Sequence, residues 1–131
     1  MKKLSVLFVV FFGVSYLFAS TPKIDTNESV NWTKAEQNYK ANLKSDNNGV
    51  ITSAANYIRK YKLSGAVEEL KPLLKKNNAD NVKMSGALAL LTIGGAEGRT
   101  AVETALETEE NELVVEFYRS ILHTTLATQL E

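Results

Sequence analysis

The chain has 131 residues, of which 44% are hydrophobic and 23% charged, with fifteen basic residues against fifteen acidic ones and no cysteine. These values suit one globular domain and exclude a disulfide framework, a thiol nucleophile and a thiolate metal site. A balanced charge with few aromatic residues also lacks the basic field that nucleic-acid binding needs.

In chain order, Lys2 and Lys3 form a short basic end, and an apolar run follows from Leu4 to Ala19. The small residues Ala19 and Ser20 and the polar stretch TPKIDTNES come next. This is the three-part layout of a secretory signal peptide, and the run is shorter than the ~20 apolar residues of a spanning helix. Residues 1–19 are therefore expected to direct export to the periplasm or beyond and to be cleaved after Ala19. No stable membrane insertion is expected after cleavage; the alternative is an uncleaved anchor. Residues 20–32 read as a polar linker, and residues 33–131 as the folded domain.

Sliding the chain against itself by 32 residues brings three segments into register without a gap. Val50 falls on Val82 and Val114, Ala54-Ala55 on Gly86-Ala87, and Ile58 on Leu90 and Leu122. Leu70 falls on Val102 and Leu74 on Leu106. Within each segment the apolar spacing is helical, as in Val82, Gly86, Ala89, Leu90 and Ile93. The pattern predicts helices over roughly 33–44, 48–62, 64–77, 80–93, 96–108 and 112–129. Thr33 and Glu36 stand at capping-box spacing. Asn48 or Asp46, and then Asp80, are expected N-caps. Gly94-Gly95 and the turn from Lys62 to Gly65 are expected to end the second helix of a pair. Pro72 removes the bond to the Glu68 carbonyl and is expected to kink the third helix. A helical hairpin of this length cannot bury both its faces alone, so hairpins at about 33–62, 64–93 and 96–129 are expected to stack. The Gly and Ala positions then lie on contact rows where backbones approach closely.

The run VKMSGALALLTIGGAEGRTAVETAL resembles a HEAT repeat of the short type also found in phycobiliprotein lyases. The shared features are a valine opening the second helix, a cluster of small residues, an Ile-Gly turn with an acid nearby, and an Ala-Val…Ala-Leu first helix. The resemblance spans about residues 49–126. It departs from the family pattern at Lys62-Leu63, where Gly-Asp is usual, and at Tyr118 and Arg119, which replace small residues as at a terminal cap. It implies an all-α fold, a right-handed α-α superhelix of about three hairpins in which the second helices line the concave face.

The residues offer little reactive chemistry. His123 is the one histidine and has no thiol or second imidazole to share a metal with, so it reads as a partly exposed helix residue. No base is patterned to activate a serine. GGAEG lies at a helix–helix turn rather than after a strand, and Asp46-Asn47-Asn48-Gly49 lacks the spacing of a calcium loop. The acidic string Glu107, Glu109, Glu110, Glu112 and Glu116 reads as a solvated loop with carboxylates at a helix start. No catalytic residue, cofactor or metal is expected.

Charge and surface are more informative. From Lys34 to Lys83 there are ten basic residues against five acidic, and from Met84 to Glu131 two against eight. This polarity can orient a partner or favour head-to-tail association, or it is simply an uneven solvated surface. The row expected to face outward on the second helices is Thr52, Asn56, Lys60, then Met84, Leu88, Thr92, then Glu116, Ser120, Thr124. Asn56, Lys60, Met84, Leu88 and Ser120 are the candidate partner-binding residues, with Met84 and Leu88 as apolar anchors or as partly buried packing. Val115 and Phe117 are expected to close the end of the stack or to mediate self-association through the last helix. The combined expectation is an exported, non-enzymatic scaffold that binds a protein or peptide. The alternatives are an enzyme or accessory subunit related to the repeat-containing lyases, and a membrane-tethered structural protein.

Overall fold

A computed structural model describes residues 29–129. Its α-helices are α1 (Trp32–Asn42), α2 (Asn48–Lys60), α3 (Val67–Leu70), α4 (Asp80–Ile93), α5 (Gly95–Thr108) and α6 (Glu112–Gln129). Single 3-10 turns at Ser64–Ala66 and Lys71–Leu74 flank α3. The described residues contain no strand, and none of their helices is long and apolar enough to cross a membrane. The expected signal segment, residues 1–19, lies outside the described residues.

The helix starts differ in detail from the expected caps. Asn31, not Thr33, caps α1, its Oδ1 accepting from the Lys34 N–H at 3.0 Å. Asn47, rather than Asp46 or Asn48, caps α2, accepting from the Gly49 and Val50 N–H groups at 2.8 and 3.3 Å. Asp80 is not a cap: it is the first residue of α4, and Ala79 stands at the cap position without a side-chain bond. Neighbouring Asn and Asp residues have equal capping chemistry, and the backbone decides among them. Asn47 holds the extended conformation (φ −98°, ψ 114°) of a cap residue.

The third helix is more broken than a kink. The expected helix over 64–77 is one α-turn between two 3-10 turns, and the chain leaves it at Lys75 (ψ 137°). Pro72 has no N–H to return to the Glu68 carbonyl, so the following residues tighten, with Lys75 N–H donating to Pro72 O at 3.3 Å. Asn78 also secures the carbonyls at this end, its Nδ2 donating to Pro72 O at 2.9 Å and Leu73 O at 3.0 Å.

Helices α2, α4 and α6 pack side by side, and α1, the segment 64–74 and α5 pack behind them. The core lies between these two rows, and burial follows the 32-residue register. Ile58 and Leu90 are fully buried and Leu122 nearly so, while Leu70 and Val102 are fully buried in the back row. The register fails at its start: Val82 and Val114 are buried, but Val50 is exposed.

The small residues serve the expected close approach. A Cβ on Gly86 would lie 2.8 Å from the Leu73 Cβ, so its absence lets the 71–74 turn seat on α4. A Cβ on Gly98 would lie 2.1 Å from the Leu90 carbonyl oxygen, where α5 folds back against α4. The turn between those helices uses Gly95 at φ +52°, whereas the turn after α2 places Lys62 in the same left-handed region. At the third repeat Tyr118 takes the place of the small residue and is fully buried. Gly98→Ala is expected to lower the unfolding free energy by about 1–3 kcal/mol, since backbone rather than a flexible side-chain tip must move. Denaturant unfolding followed by circular dichroism checks this; an unchanged midpoint would refute the close-packing account.

Candidate functional site

The side chains on the outer surface of α2, α4 and α6 form one face. Asn56, Lys60, Thr92, Glu116, Ser120 and Thr124 are exposed there, and Thr52, Met84 and Leu88 are half-buried. The hydroxyls of Thr52, Thr92 and Thr124 donate to carbonyls one turn back in their own helices, at 2.7, 2.8 and 3.0 Å. They therefore present methyl groups and already-engaged oxygens to a partner.

Two grooves flank α4 on this face. Between α2 and α4 lies a cavity of ≈ 600 Å³ lined by Ser53, Asn56, Tyr57, Arg59, Lys60 and Thr92. Between α4 and α6 lies a smaller one of ≈ 190 Å³ lined by Leu88, Leu91, Thr92, Ile121, Thr124 and Thr125. The candidate residues thus divide. Asn56 and Lys60 share the first groove and Leu88 lines the second. Met84 packs against the core, and Ser120 is exposed on α6 but lines neither groove. Sequence reasoning missed Tyr57, Arg59, Leu91 and Ile121. It followed the crest of each helix, whereas a groove between helices is walled by the residues one position to the side. Val115 is half-buried and Phe117 packs partly against the core, leaving Leu113 and Leu126 as the exposed large apolar residues of α6.

An aromatic row adjoins the first groove, and it too was missed. Trp32 lies 4.8 Å from Tyr61, Tyr61 lies 6.0 Å from Tyr57, and Tyr57 lies 5.4 Å from Tyr39, measured between ring centres. Trp32, Tyr57 and Tyr61 remain 46, 44 and 39% exposed, which is high for rings of this size. The Lys60 ammonium sits 5.4 Å from the Tyr61 ring centre, within the range of a cation–π contact.

Part of the charge polarity of the chain is taken up by ion pairs between its elements. Lys40 pairs with Glu69 at 3.0 Å and Lys83 with Glu109 at 2.8 Å, while Lys71 pairs with Glu97 and Lys76 with Glu110. Each pair joins a basic residue of an earlier element to an acidic residue of a later one. Among the described residues, Arg59, Lys60 and Lys62 near the end of α2 make no ion pair, and neither do Glu107, Glu112 and Glu116.

Glu109 corrects the reading of the acidic string as solvated: its side chain is 3% exposed, as is that of Lys83. Glu109 Oε2 accepts from Lys83, and Oε1 accepts from the N–H groups of Glu110 and Asn111 at 3.1 and 3.0 Å. Asp80 lies 3.4 Å from the Lys83 ammonium and accepts from Asn111 Nδ2 at 2.7 Å. Burial acts to raise the Glu109 carboxyl, but Lys83 and the two backbone donors outweigh it and hold the group below its ordinary value. Burial acts to lower Lys83, but Glu109 and Asp80 outweigh it and hold the ammonium above its ordinary value. The fully buried Tyr118 hydroxyl has no hydrogen-bond partner among the described residues. Burial, then the charges of Glu109 and Asp80, push its pKa well up, so it stays neutral. This cluster is a clamp between the start of α4 and the α5–α6 turn. His123 is exposed and apart from it. No group of three or more His, Cys, Asp or Glu side chains among the described residues is arranged to hold a metal ion.

Removing one partner of a buried pair leaves the other charge uncompensated. Lys83→Met is therefore expected to lower the unfolding free energy by about 3–5 kcal/mol, and Lys83→Met with Glu109→Leu to recover much of it. The pair's pH window follows from the shifts. Glu109 contributes above its ordinary 4.5 and the contribution is lost as pH falls through its lower folded pKa. Lys83 contributes below its ordinary 10.5 and the contribution is lost as pH rises through its higher folded pKa. Thermal unfolding across pH checks both limbs, and an acid limb that persists unchanged in the double variant would exclude Glu109 as its source.

Comparison with protein-family models, with curated protein sequences and with solved structures found no match.

Proposed function

We propose that this chain is an exported, non-enzymatic interaction module, a short α-solenoid of the HEAT type, whose second helices bind a segment of another protein. The observation that carries this reading is the pair of grooves on either side of α4, on the face formed by α2, α4 and α6. Side-by-side packing of the even-numbered helices supports the solenoid, as do the 32-residue register and its matching burial. Side chains on three consecutive hairpins then contribute to one continuous surface, the usual means by which stacked repeats bind extended partners. Leu88 is the half-exposed apolar residue nearest the middle of that surface, and it lines a groove otherwise walled by Leu91, Ile121 and threonines.

The reading is tested by Leu88→Glu. The variant is expected to keep its helical circular dichroism and to lose capture of the partner that the wild-type chain crosslinks in intact cells; undiminished capture would remove the α4–α6 groove from the proposal. Export rests on the sequence of residues 1–19. Mass spectrometry of the protein recovered from cells is expected to show Ser20 at the amino terminus. Retention of Met1 would instead favour a tethered form.

A further inference from the structure

We infer that the groove between α2 and α4 binds an acidic peptide segment, with Arg59 and Lys60 taking its carboxylates and Tyr57 taking an adjoining ring or aliphatic side chain. The inference rests on the reading of the chain as a peptide-binding module and names the class of peptide. Four observations support it.

The first is charge. No acidic residue lines the groove, and two of its six lining residues are cations. Among the described residues, Lys40, Lys71, Lys76 and Lys83 hold ion pairs that tie one element to a later one, whereas Arg59 and Lys60 hold none. The second is an unmet donor. Among the described residues nothing accepts from Arg59 Nε, so the partly exposed guanidinium is not committed to an internal acceptor. A carboxylate is the acceptor that a guanidinium fork fits best.

The third removes the simplest structural role for these cations. Basic side chains in the last turn of a helix often serve its free carbonyls. Here the carbonyls of Tyr57, Ile58 and Arg59 already accept from the N–H groups of Tyr61, Leu63 and Lys62, at 2.9, 3.0 and 3.2 Å. The end of α2 is closed by its own backbone, so its carbonyls do not occupy the two cations, and Lys60 keeps only its contact with the Tyr61 ring. The fourth is shape and chemistry. Tyr57 lines the groove and is also part of the exposed aromatic row that runs on to Tyr61 and Trp32. The footprint therefore extends along α2, which suits an extended segment carrying both carboxylates and apolar groups rather than a single small anion.

The test uses the protein as recovered from cells and two fluorescein-labelled synthetic hexapeptides, Glu-Glu-Tyr-Glu-Glu-Tyr and its counterpart with every Glu replaced by Gln. By fluorescence anisotropy the Glu peptide is expected to bind at least roughly tenfold more tightly, with the difference shrinking as salt is raised. Arg59→Gln with Lys60→Gln is expected to remove that preference while helical circular dichroism is unchanged. Glu107→Gln with Glu112→Gln, both off the face and in no ion pair, is expected to leave it intact. Trp32, the single tryptophan of the chain, supplies an independent reading through its emission, which is expected to change with the Glu peptide alone. Equal binding of the two peptides, no binding of either, or an unaltered preference in the Arg59/Lys60 variant overturns the inference. If partner capture in cells still depends on Leu88 in any of those cases, the interaction-module reading stands and only the acidic-peptide assignment falls. Self-association in sedimentation that is lost in both double variants would make a second copy of the chain the occupant, and so would also overturn it.

Discussion

Everything else in the molecule is arranged around α4, which is packed from more than one side at once. It is flanked by α2 and α6 and backed by α5 and the 71–74 turn. A helix in that position has to be narrow. Gly86 admits Leu73 to its surface, and Gly98 allows α5 to turn back over the carbonyl of Leu90. Leu90 and Val82 fill the space that remains and are almost completely removed from water. Dense packing of this kind leaves no room for an added methylene without displacing a neighbour. A thicker α4 would push its flanking helices apart and disperse the two grooves that lie along it.

Electrostatics reinforces the same order of stacking. Lysines of earlier elements reach glutamates of later ones, and three of these pairs join the basic first half of the domain to its acidic second half. The exposed pairs add little individually. Lys83 and Glu109 differ, because both are withdrawn from water and the carboxylate is held by two backbone donors as well as the ammonium. The pair sets where the α5–α6 turn meets the start of α4. Tyr118, fully buried near the pair, stands at the position that Gly86 holds in the preceding repeat. Such an arrangement favours a single register of the last hairpin, since any slip would strand a buried charge.

The face formed by α2, α4 and α6 takes its character from what this internal pairing does not use. The cations at the end of α2 remain unpaired, an aromatic row stands unusually exposed beside them, and the threonines along the face have engaged their hydroxyls within their own helices. What is left on the surface is a basic, aromatic groove on one side of α4 and an apolar one on the other.

The order and bounds of five of the helices were legible in the sequence, because helical periodicity and a 32-residue register are local properties of the chain. So was the need for small residues at Gly86. Three kinds of feature were not. Which of several adjacent Asn or Asp residues caps a helix depends on backbone angles that the rest of the fold imposes, as Asn31 and Asn47 show. The burial of Glu109 depends on Lys83, 26 residues away, and in the sequence it is one glutamate among several. The groove residues Tyr57 and Arg59 lie to the side of the crest that the helical pattern picks out, and they become a site only when α4 is laid against α2. The sequence by itself determined where the chain is helical and which faces must meet, since spacing alone specifies both. Tertiary structure decided which charges are buried, which cations stay free and where the grooves open, because each of those depends on the distance between residues that periodicity leaves unrelated.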